Sequence, residues 1–275
     1  MQSRDMPNLK DSVPLHVGVA SRYLEARKLS GPIRSAGATL ASNISSWLLK
    51  EGPERLDWLN NYPQMFGDII PRATLNRVAA TLTDAGLPVN VHMLASLKLQ
   101  LLYTANSYFS PQERIIAISK PYSLSGWGDW LKRGGEFERA FVHEFTHAVD
   151  FLRGPGQKAY SPTIKDDMSK YITHPLEVNA RIQELMLKYD RKLDKVMGPL
   201  LIKKDTMDPE DLEWELESYI GETPKYEVVD LLHEMDRRLL QHMDSDLRKR
   251  LLKRLYTEVE ESKERWRTLM DFKIR

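Results

Sequence analysis

The period of hydrophobic and polar positions changes several times along the chain, and each change marks an element. Apolar residues at helical spacing predict helices over Val17–Leu29 and Ala36–Lys50, parted by the breaker Ser30-Gly31-Pro32. Leu75–Ala85 repeats that pattern and stops at Gly86. Val89–Met93 and Leu97–Tyr103 then alternate as strands do: in the second, Leu97, Leu99 and Leu101 point one way and Lys98 and Gln100 the other. The β-branched run Ile115, Ile116, Ala117, Ile118 and Ser119 predicts a further strand, expected to be an open edge that aligns an extended substrate by main-chain hydrogen bonds. Glycines 126, 128, 134 and 135 then bracket a loop carrying Trp127 and Trp130, aromatic candidates for a cleft wall.

The strongest helical pattern covers Glu136–Leu152, where Phe137, Ala140, Phe141, Phe145, Ala148, Val149 and Leu152 share one face. Gly154-Pro155-Gly156 ends it. A second helix is expected from Pro175, capped by His174 or Thr173 and running past Met186. From about Lys188 onward the pattern is helical throughout, with Asp208-Pro209-Glu210 and Thr223-Pro224-Lys225 as helix starts. The order of helix, strands, one dominant helix and further helices predicts an α+β fold. Its expected divisions are a helical region 1–72, a central domain 73–190 and an α-helical extension 191–275.

Charge and composition narrow the chemistry. Forty Lys and Arg against 39 Asp and Glu leave a formal net charge of +1, so neither nucleic acid nor an anionic membrane is an expected partner. No window approaches the length of a membrane span and the N-terminus lacks an export-type apolar run. A soluble protein is expected, cytoplasmic or delivered by a non-Sec route that includes a virion. Charge is segregated near the C-terminus: Asp205–Asp236 holds twelve acidic residues and one Lys, and Arg237–Arg254 seven basic and two acidic. That stretch is a candidate surface for a protein partner. The absence of cysteine excludes disulfides, thiol nucleophiles and thiolate metal sites, so a metal would be held by His, Asp and Glu.

His143-Glu144-Phe145-Thr146-His147 spells H-E-x-x-H inside the strongest helix. Histidines four apart sit about 40° apart around the axis and about 6 Å apart along it, so both can reach one ion. Glu144 falls beside them, where a carboxylate can take a proton from an attacking water. The third ligand is expected to be Glu177, in the first turn of the proline-started helix, with Ala180 allowing close packing. His174 and Asp150 compete for that place, and Asp150, one turn beyond His147, is otherwise expected to orient a ligand imidazole. His174 is equally readable as a helix cap or a donor to the transition state. Two His, one Glu and an open position form the usual catalytic zinc arrangement, so one Zn²⁺ per chain is the expected cofactor.

HEFTHAVD (143–150), with Tyr171 and Glu177-x-x-Ala180 after it, resembles the gluzincin branch of zinc metallopeptidases. The local wording is closest to the catalytic domain of anthrax lethal factor and the Pro-Pro endopeptidases. The resemblance spans about Glu113 to Leu187. It implies a zincin-like domain with a small mixed sheet and an HExxH helix. It also implies zinc on His143, His147 and Glu177, Glu144 as general base, and Tyr171 stabilising the oxyanion, with His174 or Tyr160 as substitutes. The His147–Glu177 and Tyr171–Glu177 spacings differ from those of lethal factor, and Arg181 stands where thermolysin-type enzymes carry an aspartate. The expected function is peptide-bond hydrolysis in a peptide or protein substrate. The alternatives are a structural or assembly protein on a zincin-like scaffold, such as a phage-particle component, and a zinc hydrolase of peptidoglycan cross-links.

Overall fold

A computed structural model describes residues 13–51, 53–103, 106–120, 131, 135–152, 174–221, 223–235 and 237–271. The fold is α+β, mostly helical around a small mixed four-stranded sheet. It opens on a single helix, α1 (Val13–Leu48), that runs through the expected break. Proline inside a helix removes one hydrogen bond and costs about 3 kcal/mol. Beyond Pro32, however, Ile33, Ala36, Leu40, Ala41, Ile44 and Leu48 form one buried stripe, and that burial outweighs the proline.

Helix α2 (Pro53–Asn61), strand β1 (Gln64–Met65), α3 (Phe66–Ile69) and α4 (Arg72–Asp84) follow, and α4 ends at Gly86, whose φ of +83° suits glycine. The expected strand Val89–Met93 is replaced by the short helix α5 (Val91–Ala95). Asn90 accepts a hydrogen bond from Met93 N–H at 3.0 Å, and this local cap overrides the alternation of Val89, Val91 and Met93.

Strands β2 (Lys98–Leu102), β3 (Tyr108–Ser110) and β4 (Ile115–Ser119) complete a sheet of order β1-β2-β4-β3. Leu97, Leu99 and Leu101 are buried as the alternation predicts. β4 lies parallel to β2 and antiparallel to β3, so Ile115–Ser119 is an internal strand and not the expected edge. Its unbroken burial from Ile115 to Ile118 is the mark of a strand covered on both faces. Among the described residues, the edge strand on that side is β3.

Helix α6 (Glu136–Leu152) has the bounds its amphipathic pattern predicts. Phe137, Phe141 and Phe145 stack along its buried side with successive centroids 6.0 Å apart. A Cβ added at Gly37 of α1 would lie 3.0 Å from Val142 Cγ2 and 3.1 Å from Phe145 Cδ1. Glycine there brings α1 tight against α6 beside His143.

The rest is helical: α7 (Pro175–Lys203), α8 (Pro209–Leu216), a π-helical turn (Glu217–Gly221), α9 (Lys225–Glu234), α10 (Arg237–His242) and α11 (Ser245–Met270). Among the described residues, two apolar cores form. One runs from Ile33 to Leu152 and the other from Val178 to Met270. Residues 33–48 share the first core with the sheet and α6, and α7 continues unbroken through residue 190, so packing does not break at 72 or 190. No helix among the described residues is long and apolar enough to cross a membrane.

Candidate metal centre

The rotation of α6 is set by Phe141, Val142, Phe145, Ala148 and Val149, all fully buried, and this turns His143 and His147 toward α7. The two imidazole centroids are 5.0 Å apart with planes 78° to one another. His143 and Glu144 are buried, and His147 is partly exposed. One ligand atom from each of His143, Glu144 and His147 lies within 4.8 Å of the others.

Opposite them α7 begins. Pro175 occupies its first turn and His174 caps it, the Nδ1 accepting from Leu176 N–H at 3.3 Å, which brings Glu177 against the histidines. Glu177 Oε2 is 3.5 Å from His143 Nε2 and 3.4 Å from His147 Nε2. That oxygen is buried without a hydrogen-bond partner among the described residues, while Oε1 accepts from Arg181 Nε at 3.1 Å. One carboxylate oxygen is therefore anchored and the other is turned between two imidazole nitrogens.

The two Glu177 spacings fit a tetrahedral zinc. Ligand distances of about 2.0–2.2 Å require ligand atoms about 3.3–3.6 Å apart, and Glu177 meets that on both sides. Glu144 also offers an oxygen within 4.8 Å of ligand atoms of the same two histidines.

Burial pushes the Glu144 carboxyl up despite the neighbouring histidines, which suits a base working near neutrality. Burial would also raise Glu177, but the facing imidazoles of His143 and His147 and the charge of Arg181 hold it well below the usual carboxylate range. His174 is lowered by burial and then by the charge of His147. For His143 burial acts downward, and the carboxylates of Glu177 and Glu184 overcome it and raise the imidazole to about 9.

The sign of the pH dependence follows. With its imidazole held up by these carboxylates, a proton on His143 would compete with an ion placed there. Zinc affinity is expected to rise about tenfold per pH unit from about pH 7 and to level off above about 9. A chelator competition across that range checks it, and a flat profile would mean that His143 does not exchange a proton on binding. In the metal-free chain the same raised imidazole stabilises the fold fully below about pH 6.5, a contribution lost as pH climbs through about 9.

A buried polar chain holds α7 in place. Asn179, two residues past Glu177, lies 3.5 Å from the Asp150 carboxylate on α6 and accepts from Arg254 of α11. Arg254 faces Glu258 at 3.5 Å, and Glu258 accepts from Arg34 of α1 at 3.0 Å. Arg34 also reaches Gln183 and Asp190 of α7. Arg254 is thus a core residue and not part of a solvated basic face.

Of the expected site residues, His143, Glu144, His147 and Glu177 come together, and His174 serves as a cap at their rim. Asp150 is buried one turn beyond His147 with Asn179 beside it. Tyr160, Tyr171, Trp127 and Trp130 lie outside the described residues. Sequence reasoning passed over Glu184, whose Oε2 is 3.6 Å from His143 Nδ1. Its only signal was the seven-residue step from Glu177, which returns to the same helix face. Compared with protein-family models, curated proteins and solved structures, the chain matches none.

Proposed function

We propose that this chain is a zinc-dependent metallopeptidase that hydrolyses peptide bonds with Glu144 as general base. The observation that carries this reading is the buried Glu177 Oε2, without a hydrogen bond and 3.4–3.5 Å from two imidazole nitrogens. The His143, His147 and Glu177 set would hold the ion. Zinc there supplies Lewis acidity, polarising a carbonyl and making water more acidic. Glu144, with its carboxyl raised by burial, takes the proton of the attacking water and delivers it to the leaving amine. Arg181 holds Glu177 Oε1, so Oε2 would be the atom offered to the ion. By the family resemblance, the oxyanion falls to Tyr171. Among the described residues β3 is an edge strand, to which an extended substrate could add, a role expected from the sequence for Ile115–Ser119.

The test is metal content by plasma mass spectrometry on protein purified without chelator, with His147→Ala in parallel. About one zinc per chain, lost in the variant, is the expected outcome for a three-ligand site. Absence of zinc from both, even after it is supplied, would overturn the reading and favour a non-catalytic scaffold. Zinc together with cleavage of cell-wall cross-links but of no peptide would keep the centre and change the substrate.

A further inference from the structure

One buried atom near the histidines is left over. His143 Nδ1 is fully enclosed and has no hydrogen-bond partner among the described residues. A neutral imidazole that binds an ion through Nε2 carries its proton on Nδ1, and a buried N–H needs an acceptor. The carboxylate that faces it is Glu184, with Oε2 at 3.6 Å, longer than a hydrogen bond. Closing by about 0.7–0.9 Å would bring the pair into the charge-assisted range.

Glu184 is also held. Arg181 Nη1 donates to the same Oε2 at 3.1 Å, while its Nε donates to Glu177 Oε1 at 3.1 Å. One guanidinium therefore braces both carboxylates. The helix supplies the geometry: seven residues fall about 20° short of two turns, so Glu177 and Glu184 lie one above the other and meet opposite nitrogens of the same imidazole.

We infer that Glu184 is a positioning residue that accepts the Nδ1 proton of His143 and so fixes the tautomer and tilt that aim Nε2 at the ion, with Arg181 as its brace. This rests on the metal centre proposed above. It adds a carboxylate at the seventh position after Glu177, where the fourth is occupied by arginine. The carboxylate does no chemistry on substrate; it acts through His143.

The test is the zinc dissociation constant by competition with a chromophoric chelator, for wild type, Glu184→Ala and Glu184→Gln, with the melting temperature of each metal-free protein. Glu184→Ala is expected to bind one zinc about 10–100-fold more weakly. Glu184→Gln, whose amide oxygen still accepts, should recover most of that loss. Wild-type affinity in Glu184→Ala would overturn the inference. So would equal weakening in Ala and Gln, because charge alone would then be acting. If Glu184→Ala does not fold, Glu184→Asp decides: it keeps the charge but withdraws the oxygen, so weakened binding supports positioning and wild-type affinity refutes it. Wild-type protein that binds no zinc removes the metal centre and this inference together. Zinc bound equally by wild type and Glu184→Ala removes only the inference.

Discussion

Glu144→Gln is expected to lower peptide hydrolysis by about 10²–10⁴-fold while the protein still takes up one zinc, because a general base contributes that much and the three proposed ligands are untouched. Glutamine keeps the size and one oxygen of the glutamate but cannot accept a proton. Glu144 sits 5% exposed between the two histidines, so the substitution leaves no cavity and adds no charge. Loss should therefore appear in kcat with KM nearly unchanged. Turnover of a mixed peptide library and metal content, read on the same preparation, check it. Undiminished cleavage with bound zinc would move the base to another residue.

The second large effect is on stability. Arg254→Ala is expected to cost about 3 kcal/mol, since removing one member of a buried ionic set leaves the others enclosed with less compensation. Glu258, 1% exposed, would lose the guanidinium 3.5 Å from it while keeping that of Arg34. Asn179 would lose the donor to its side-chain oxygen. The neighbouring Lys253 is exposed, and Lys253→Ala should stay within about 0.5 kcal/mol. Urea unfolding of both variants separates them. Equal midpoints would show that Arg254 carries no more than its surface neighbour.

What could be read from the sequence was local. The bounds of α6 were legible because seven apolar residues keep one face, and the start of α7 because a proline follows a residue able to cap. The histidine pair and Glu144 were legible because helical spacing alone brings them to one side. Strand order was not, since β4 at the centre and β3 at the edge depend on pairing between distant segments. The unbroken apolar run of Ile115–Ile118 was the available signal against an edge. Arg34 and Arg254 were illegible for a similar reason: a basic residue on a helix reads as solvated until another helix covers it. Pro32 reads as a break, and only the buried stripe that follows it keeps α1 continuous.

The length of α7 has a mechanical consequence. Glu177 stands at one end of a 29-residue helix, and Asp190, about 20 Å along it, is gripped by Arg34, Ser262 and Arg265. About that fulcrum a tilt of 1° would carry Glu177 by about 0.3 Å, a large part of the roughly 0.5 Å tolerance of a preorganised centre. Such a lever needs a second support near its tip. Arg254, reaching in from α11 to Asn179 two residues beyond Glu177, is where rocking of the helix would be arrested. The C-terminal helix thus acts as a stay on the carboxylate that faces the two histidines.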